Sequence, residues 1–311
     1  MEKLQNVEFR QMVPLLREKE FYEHEEIRKI SWPEYNRSQI EEACETLAFI
    51  RDQVDASEAL IILGKTGKPL TNPQSLAKAI LACEALGLTE RNAEGWLAIL
   101  GPFLGIREKL DDRTFGDSYG KIEVIHILRQ LFKSTKSSDG RLSGDGTGLE
   151  TSRRQNYEIK KKAGDYLTSI VDSREVVQAF DMSGTQECKA MHKLIKEVCG
   201  GSIRLDAGFN DRRLVKEIVD RGMIPYVFPK KNNNLNGHIS WKEMYLELFA
   251  DVMTWLTEYH QRSHSESFHS SFKKRFGIIT KRRNICILVQ VLARIILHNR
   301  RRLDYFSRLK G

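Results

Sequence analysis

The sequence predicts an α/β protein, a mixed sheet flanked by helices and preceded by a mainly helical N-terminal region. Three observations carry this. The first 135 residues show apolar residues at helical spacing, interrupted by short turns. A polar, small-residue segment, KSTKSSDGRLSG, follows at 133–144. Beyond it, short apolar runs bounded by turn residues alternate with helical stretches. A length of 311 residues suits about two domains, and the polar segment places their boundary: a helical region at 1–137 and a second domain at 138–311.

In the helical region, Ser38 is placed to cap a helix beginning at Gln39, with Glu41 completing a capping box. Ser75 opens an amphipathic run, 76–86, ended by Gly87. Thr89 opens a third helix carrying Trp96, Leu97 and Leu100. Ser118 precedes a fourth, its buried side marked by Ile122, Val124, Ile125, Ile127, Leu128, Leu131 and Phe132. The pair 75–86 and 89–100 fits a helix-turn-helix, but it fits any helical hairpin with a glycine turn equally well.

In the second domain, strands are predicted near 142–151, 165–171 and 174–181, the last two joined through Asp172-Ser173. A helix at 185–199 ends at Gly200-Gly201. A short strand, 202–205, leads into Asp206-Ala207-Gly208, and Asn210 or Asp211 caps a helix at 212–221. A fifth strand, 223–228, stops at Pro229. From about Trp241 the chain reads as helical almost to its end. Three sequential strands followed by alternating helices and strands is the order of an RNase H-like core, an order other α/β folds share.

Charge is unevenly spread. Residues 1–140 hold 19 Lys and Arg against 23 Asp and Glu, whereas 141–311 hold 31 against 19. Residues 273–311 alone carry 12 basic side chains and a single acid, Asp304. A polyanion-facing C-terminal part, with nucleic acid as the polyanion, competes here with a merely solvated basic surface. Five scattered cysteines without a C-x-x-C pair indicate neither a disulfide framework nor a cysteine zinc site, and they suit a reducing compartment. The N-terminus shows no apolar signal region, and the most apolar stretch, 285–297, is too short to span a bilayer. The expectation is a cytoplasmic protein.

Three acids stand where this element order would bring them together. Asp145 lies in Ser-Gly-Asp-Gly-Thr-Gly on the first strand, and Asp206 at the carboxyl end of the fourth. Open α/β sheets bind ligands at the carboxyl ends of their strands. Glu266 lies on the long helical stretch. There, Tyr259, Arg262, Glu266 and Lys273 are separated by 3, 4 and 7 residues. At about 100° per residue they form a stripe roughly 60° wide, apart from Phe268, Phe272 and Phe276. An exposed Arg262–Glu266 ladder worth a few tenths of a kcal/mol explains part of the same pattern.

The spacing Y-x2-R-x3-E-x6-K, matched here by Tyr259, Arg262, Glu266 and Lys273, resembles the signature of prokaryotic insertion-sequence transposases of the DDE type. Asp145 in Gly-Asp-Gly-Thr-Gly and Asp206 in Leu-Asp-Ala-Gly-Phe-Asn-Asp resemble the two earlier motifs of that family. The resemblance covers about residues 140–300. It implies an RNase H-like catalytic domain in which Asp145, Asp206 and Glu266 bind two Mg²⁺ ions, which Mn²⁺ can replace. It also implies cleavage and strand transfer on DNA, with Arg262, Lys273, Lys274, Arg275 and Tyr259 on the backbone. The implied partners are terminal inverted repeats, read by the N-terminal region, and target DNA. A homodimer would hold both ends, in a cytoplasmic, nucleoid-associated setting. Residues 207–265 leave no room for the large β-rich insertion that some relatives carry.

Other readings are weaker. His260, His264 and His269 point in different directions on a helix and lack the H-E-x-x-H pattern of a zinc hydrolase. Gly64-Lys65-Thr66 resembles the end of a P-loop, but Ala59 replaces its first glycine and Pro69 interrupts the helix that should follow. Two rivals keep the fold: an inactive or repurposed DNA-binding protein, and a structure-specific nuclease that never rejoins ends.

Overall fold

The computed structural model describes residues 6–18, 30–60, 71–152, 164–182, 184 and 186–309; Gly64-Lys65-Thr66 lies outside them. The chain divides into two compact units. One comprises the described residues of Met1–Ile30, Ser138–Gly148 and Tyr166–Ser270; the other comprises those of Ser31–Ser137, Leu149–Asp165 and Ser271–Gly311. The units are therefore interleaved along the chain, unlike the sequential division at 137/138.

The first unit is built on a five-stranded sheet. Its strands are β1 (Arg141–Glu150), β2 (Gly164–Asp172), β3 (Val177–Asp181), β4 (Ser202–Leu205) and β5 (Ile224–Val227), in the spatial order β3-β2-β1-β4-β5. β1 pairs with β4 and β4 with β5 in parallel, whereas β2 and β3 are antiparallel. All five predicted strands are present. β3 starts later than predicted because residues 173–176 form the turn. Asp172 is fully buried there and accepts bonds from the Arg174 and Val176 amides, both 2.9 Å.

Helices α1 (Asn6–Leu15), α7 (Glu187–Ile195), α8 (Arg212–Asp220), α9 (Ile239–Ala250) and α10 (Val252–His260) complete this unit. Its core gathers Phe9 and Val13 of α1, Leu142, Ile203 and Leu205 of the sheet, Met191 and Leu194 of α7, and Trp241 and Tyr245 of α9. α8 is capped by Asp211, whose side chain accepts from the Arg213 and Leu214 amides. Residues 207–265 contain one short strand, β5, and no β-rich insertion.

The C-terminal part predicted as helical from about Trp241 consists of four helices. Asp251 ends α9 and caps α10 through the Thr254 amide, 3.0 Å. A second break at Gln261–Arg262 precedes α11 (Ser263–Phe276). Carbonyls left over at such a break need donors; Ser143 of β1 donates to Gln261 O at 3.2 Å, and Ser265 to Arg262 O at 2.8 Å. Past Gly277 the chain extends, and Ile279 bridges to Thr151 before α12 (Asn284–Arg308) begins.

The second unit is helical: α2 (Trp32–Asp55), α3 (Pro73–Leu86), α4 (Glu90–Leu104), α5 (Asp112–Ser118), α6 (Ile122–Ser134) and α12. α2 begins near Pro33, whose fixed φ suits a first turn, so Ser38 lies inside the helix and bonds Tyr35 O instead of capping. α3 likewise begins at Pro73, with the Asn72 side chain taking the Gln74 amide at 2.9 Å. Thr89 and Gly87 stand at their predicted ends. Every residue from Ser75 to Glu84 is buried, which makes α3 the central helix of this unit and not an exposed hairpin arm.

Candidate active site

Asp145 and Asp206 are brought together by strand register. Parallel β1 and β4 end their pairing at Gly144 opposite Leu205, so the two aspartates are the next residue on each strand. Asp206 then caps a single 3-10 turn, Ala207–Phe209, through the Gly208 amide. Asp145 is held by the Gly146 amide at 2.8 Å. Glycine at 146 has a steric reason: a Cβ there would lie 2.7–2.8 Å from the Tyr166 ring and hydroxyl and 2.9 Å from a Glu187 carboxylate oxygen.

Glu266, in the first turn of α11, is exposed and joined to Arg262 at 2.5 Å. The Arg262 guanidinium also lies 3.8 Å from Asp145. One cation thus spans two of the three acids, which a surface ladder along a single helix would not do. His269 adds a second basic group: its Nδ1 lies 3.9 Å from Asp145, while its Nε2 bonds Ser169 of β2 at 2.9 Å.

The electrostatics show an excess of negative charge. Burial raises the Asp145 pKa; the Gly146 amide and Arg262 oppose this, while Asp206 and Glu266 add to it. Glu187, on the first turn of α7, is also raised, by burial and then by Asp145 and Asp206. Burial would lower the Arg262 pKa, but Tyr259, Glu266 and Asp145 together raise it. Asp145 and Glu187 are thus harder to ionise, first because they are buried and then because carboxylates stand beside them.

Arg262 is positioned by the helix before it. Arg204 of β4 is almost fully buried, donates to Glu258 O at 3.0 Å and pairs with the Glu258 carboxylate. This fixes the end of α10 against the sheet, and the break at 261–262 then turns Arg262 toward Asp145.

The predicted stripe is therefore divided. Arg262, Glu266 and Lys273 follow α11, but Tyr259 belongs to α10, stacked on Trp255 at 5.5 Å and 14° and packed on Phe228 at 5.1 Å. Lys273 and Lys274 are exposed. Arg275 is ion-paired with Glu42. Phe268 and Phe272 are buried, and Phe276 is half-buried. Among the described residues, His260, His264 and His269 form no group with metal-ligand spacing. Sequence reasoning missed Glu187 and the role of His269. His269 stands three residues after Glu266, a neighbouring position on a helix, whereas nothing local distinguishes Glu187.

Much of the C-terminal basic excess is used inside the helical unit. Arg294 and Glu84 are both buried and meet at 2.7 Å, with Gln290 also bonded to Glu84 at 2.9 Å. Lys281 pairs with Glu90, Arg301 with Glu42, and Arg308 with Glu41 and Glu45. Arg282 and Arg283 are exposed. No helix among the described residues is long and apolar enough to cross a membrane.

The probable transposase for insertion sequence element ISA1214 of Archaeoglobus fulgidus is 26% identical over 274 residues, covering 83% of this chain and 84% of that protein. No solved structure matches the chain. The family described as "Transposase DDE domain" matches residues 136–298, more than half the chain and a span that includes all five strands with Asp145, Asp206 and Glu266, and the chain belongs to that family.

Proposed function

We propose that this protein cuts DNA at the ends of an insertion sequence and joins the freed ends to target DNA, using a divalent metal held on an RNase H-like core. The observation that carries the proposal is the convergence of Asp206 and Glu266 on Asp145, with Arg262 lying between Asp145 and Glu266. The sheet order β3-β2-β1-β4-β5, with Asp145 in mid-β1 where its pairing with β4 stops and Asp206 just past the end of β4, supports the RNase H-like reading.

The donor set fits Mg²⁺. Its ligands would be oxygens only, as a hard cation prefers, and Asp206 and Glu266 both act on the partly buried Asp145, a grouping of carboxylates that suits a cation. Asp145, Asp206 and Glu266 would hold two such ions. The chemistry two bound ions supply is activation of the attacking oxygen and stabilisation of the leaving oxygen in line. Arg262, displaced from the carboxylates, is then free to grip a phosphate with its planar fork. Lys273 and Lys274, exposed on α11, extend the phosphate contacts as point charges; Arg275 would first have to leave Glu42. Tyr259 supports this face by packing under it.

Residues 1–137 are proposed to read the terminal inverted repeats, with a homodimer joining two ends in the cytoplasm. Purified full-length protein, Mg²⁺ without ATP, and duplexes carrying the element's own ends test the proposal. Nicked ends bearing a 3′-hydroxyl, followed by joined products, are expected. Cutting without joining would reduce the function to that of a nuclease. Binding without cutting would indicate a repurposed DNA-binding protein.

A further inference from the structure

We propose a second metal site, for zinc or a similar borderline-soft divalent ion, formed by Cys188, His192 and Asp211. Cys188 and His192 are four residues apart on α7, hence on one face. Asp211 caps α8, using one carboxylate oxygen for the Arg213 and Leu214 amides at 2.6 and 3.3 Å. Its other oxygen is turned toward the pair, 3.9 Å from Cys188 Sγ and 3.8 Å from His192 Nε2. All three donor atoms lie within 4.8 Å of one another. Tetrahedral zinc with ordinary bond lengths sets neighbouring ligands about 3.5 Å apart. The two separations to Asp211 exceed this by a few tenths of an ångström, which small side-chain rotations remove.

A second observation points the same way. His192 Nδ1 meets the Glu217 carboxylate at 2.8 Å. A histidine ligand commonly donates its other ring N–H to a carboxylate, which fixes the tautomer and turns the free lone pair to the metal. Here Nδ1–H to Glu217 leaves Nε2 facing Asp211. All four side chains are partly exposed, so an ion has a path in and water can complete the coordination. Burial and Asp211 push the Cys188 thiol up in the absence of a cation, while Lys230 opposes this. The donors are sulfur, nitrogen and oxygen, unlike the carboxylates of the proposed catalytic site, so the two sites select different metals. Bound there, zinc ties the start of α7 to the start of α8. The absence of a C-x-x-C pair conceals the site, because Asp211 lies 23 residues beyond Cys188.

Cobalt(II) added to the reduced, chelator-stripped full-length chain tests the inference. With the carboxylate site filled by excess Mg²⁺, a near-ultraviolet thiolate-to-cobalt charge-transfer band that saturates at one cobalt per chain and that zinc abolishes is expected. Cys188→Ser should lose the band, and Glu217→Gln should keep it with affinity about 10–100-fold weaker. Circular dichroism of each variant separates loss of a ligand from loss of fold. His192→Gln supplies a second ligand deletion if Cys188→Ser does not fold. Absence of the band in the unaltered chain overturns the site. So does a band that survives Cys188→Ser, since four other thiols are present. Undiminished affinity in Glu217→Gln overturns the orienting role of that residue.

Discussion

In the helical unit, Glu84 is buried between Arg294 and Gln290, and Glu41, Glu42, Glu45 and Glu90 each face a basic side chain of residues 273–311. In the sheet unit, Asp145, Asp206, Glu187 and Glu266 crowd one another, with Arg262 and His269 as their near basic groups. The first arrangement satisfies charge within the fold. The second leaves negative charge in excess, a cost to stability that a bound cation can offset. The contrast shows why net charge by segment misleads: the basic C-terminus and the acidic N-terminal half largely neutralise each other.

The largest expected effect comes from removing the crowded acids. Asp145→Asn, Asp206→Asn or Glu266→Gln should each lower cleavage by about 10³-fold or more, as the loss of several kcal/mol of transition-state stabilisation implies. Gel-shift binding should persist; a variant with normal cleavage would remove its residue from the site.

Breaking the satisfied arrangement should act on stability instead. Arg294→Ala strands Glu84 in a buried environment and should cost about 3–5 kcal/mol, read by chemical denaturation. Adding Glu84→Gln should recover much of that loss. A loss no larger than for an exposed pair would show that the buried pair carries little.

The sheet-unit acids should show the opposite sign. Burial, Asp206 and Glu266 raise the Asp145 pKa above 3.8, so the folded chain binds this proton more tightly than the unfolded chain. That contribution to stability is complete at low pH and declines as pH rises through the folded pKa. In a chelator at pH 7, Asp145→Asn should therefore melt a few degrees higher than the unaltered chain, and the gap should close toward pH 4. An unchanged or lower melting temperature at pH 7 would contradict the picture of uncompensated charge.

The smallest effect is expected at an exposed cation outside both clusters. Lys273→Ala should weaken DNA binding and make the salt slope shallower by about 1. An unchanged slope would assign Lys273 to ordinary surface charge.

Much of the site was legible because its residues carry local signals. Asp145 sits within a glycine-rich strand and Asp206 at the end of another, two residues before a glycine, and Arg262, Glu266 and Lys273 keep helical spacing. Tyr259 lies on a separate helix from Glu266 and Lys273, which periodicity did not reveal because it cannot register a one-turn break. The break exists only where Ser143, on a strand over a hundred residues earlier, supplies a donor to Gln261. The helix starts at 38 and 75 were misplaced for a local reason, since the prolines at 33 and 73 set the first turns further upstream.

The sequence by itself determined the five strands, most helices, the ordered acids and the cation spacing, because periodicity, turn residues and motif spacing act over a few residues. Tertiary structure decided which charges meet. Parallel register set Asp145 beside Asp206, the 261–262 break aimed Arg262 at Asp145, and α12 brought Arg294 to Glu84. Charge interactions depend on distance and burial, and both are properties of the folded chain.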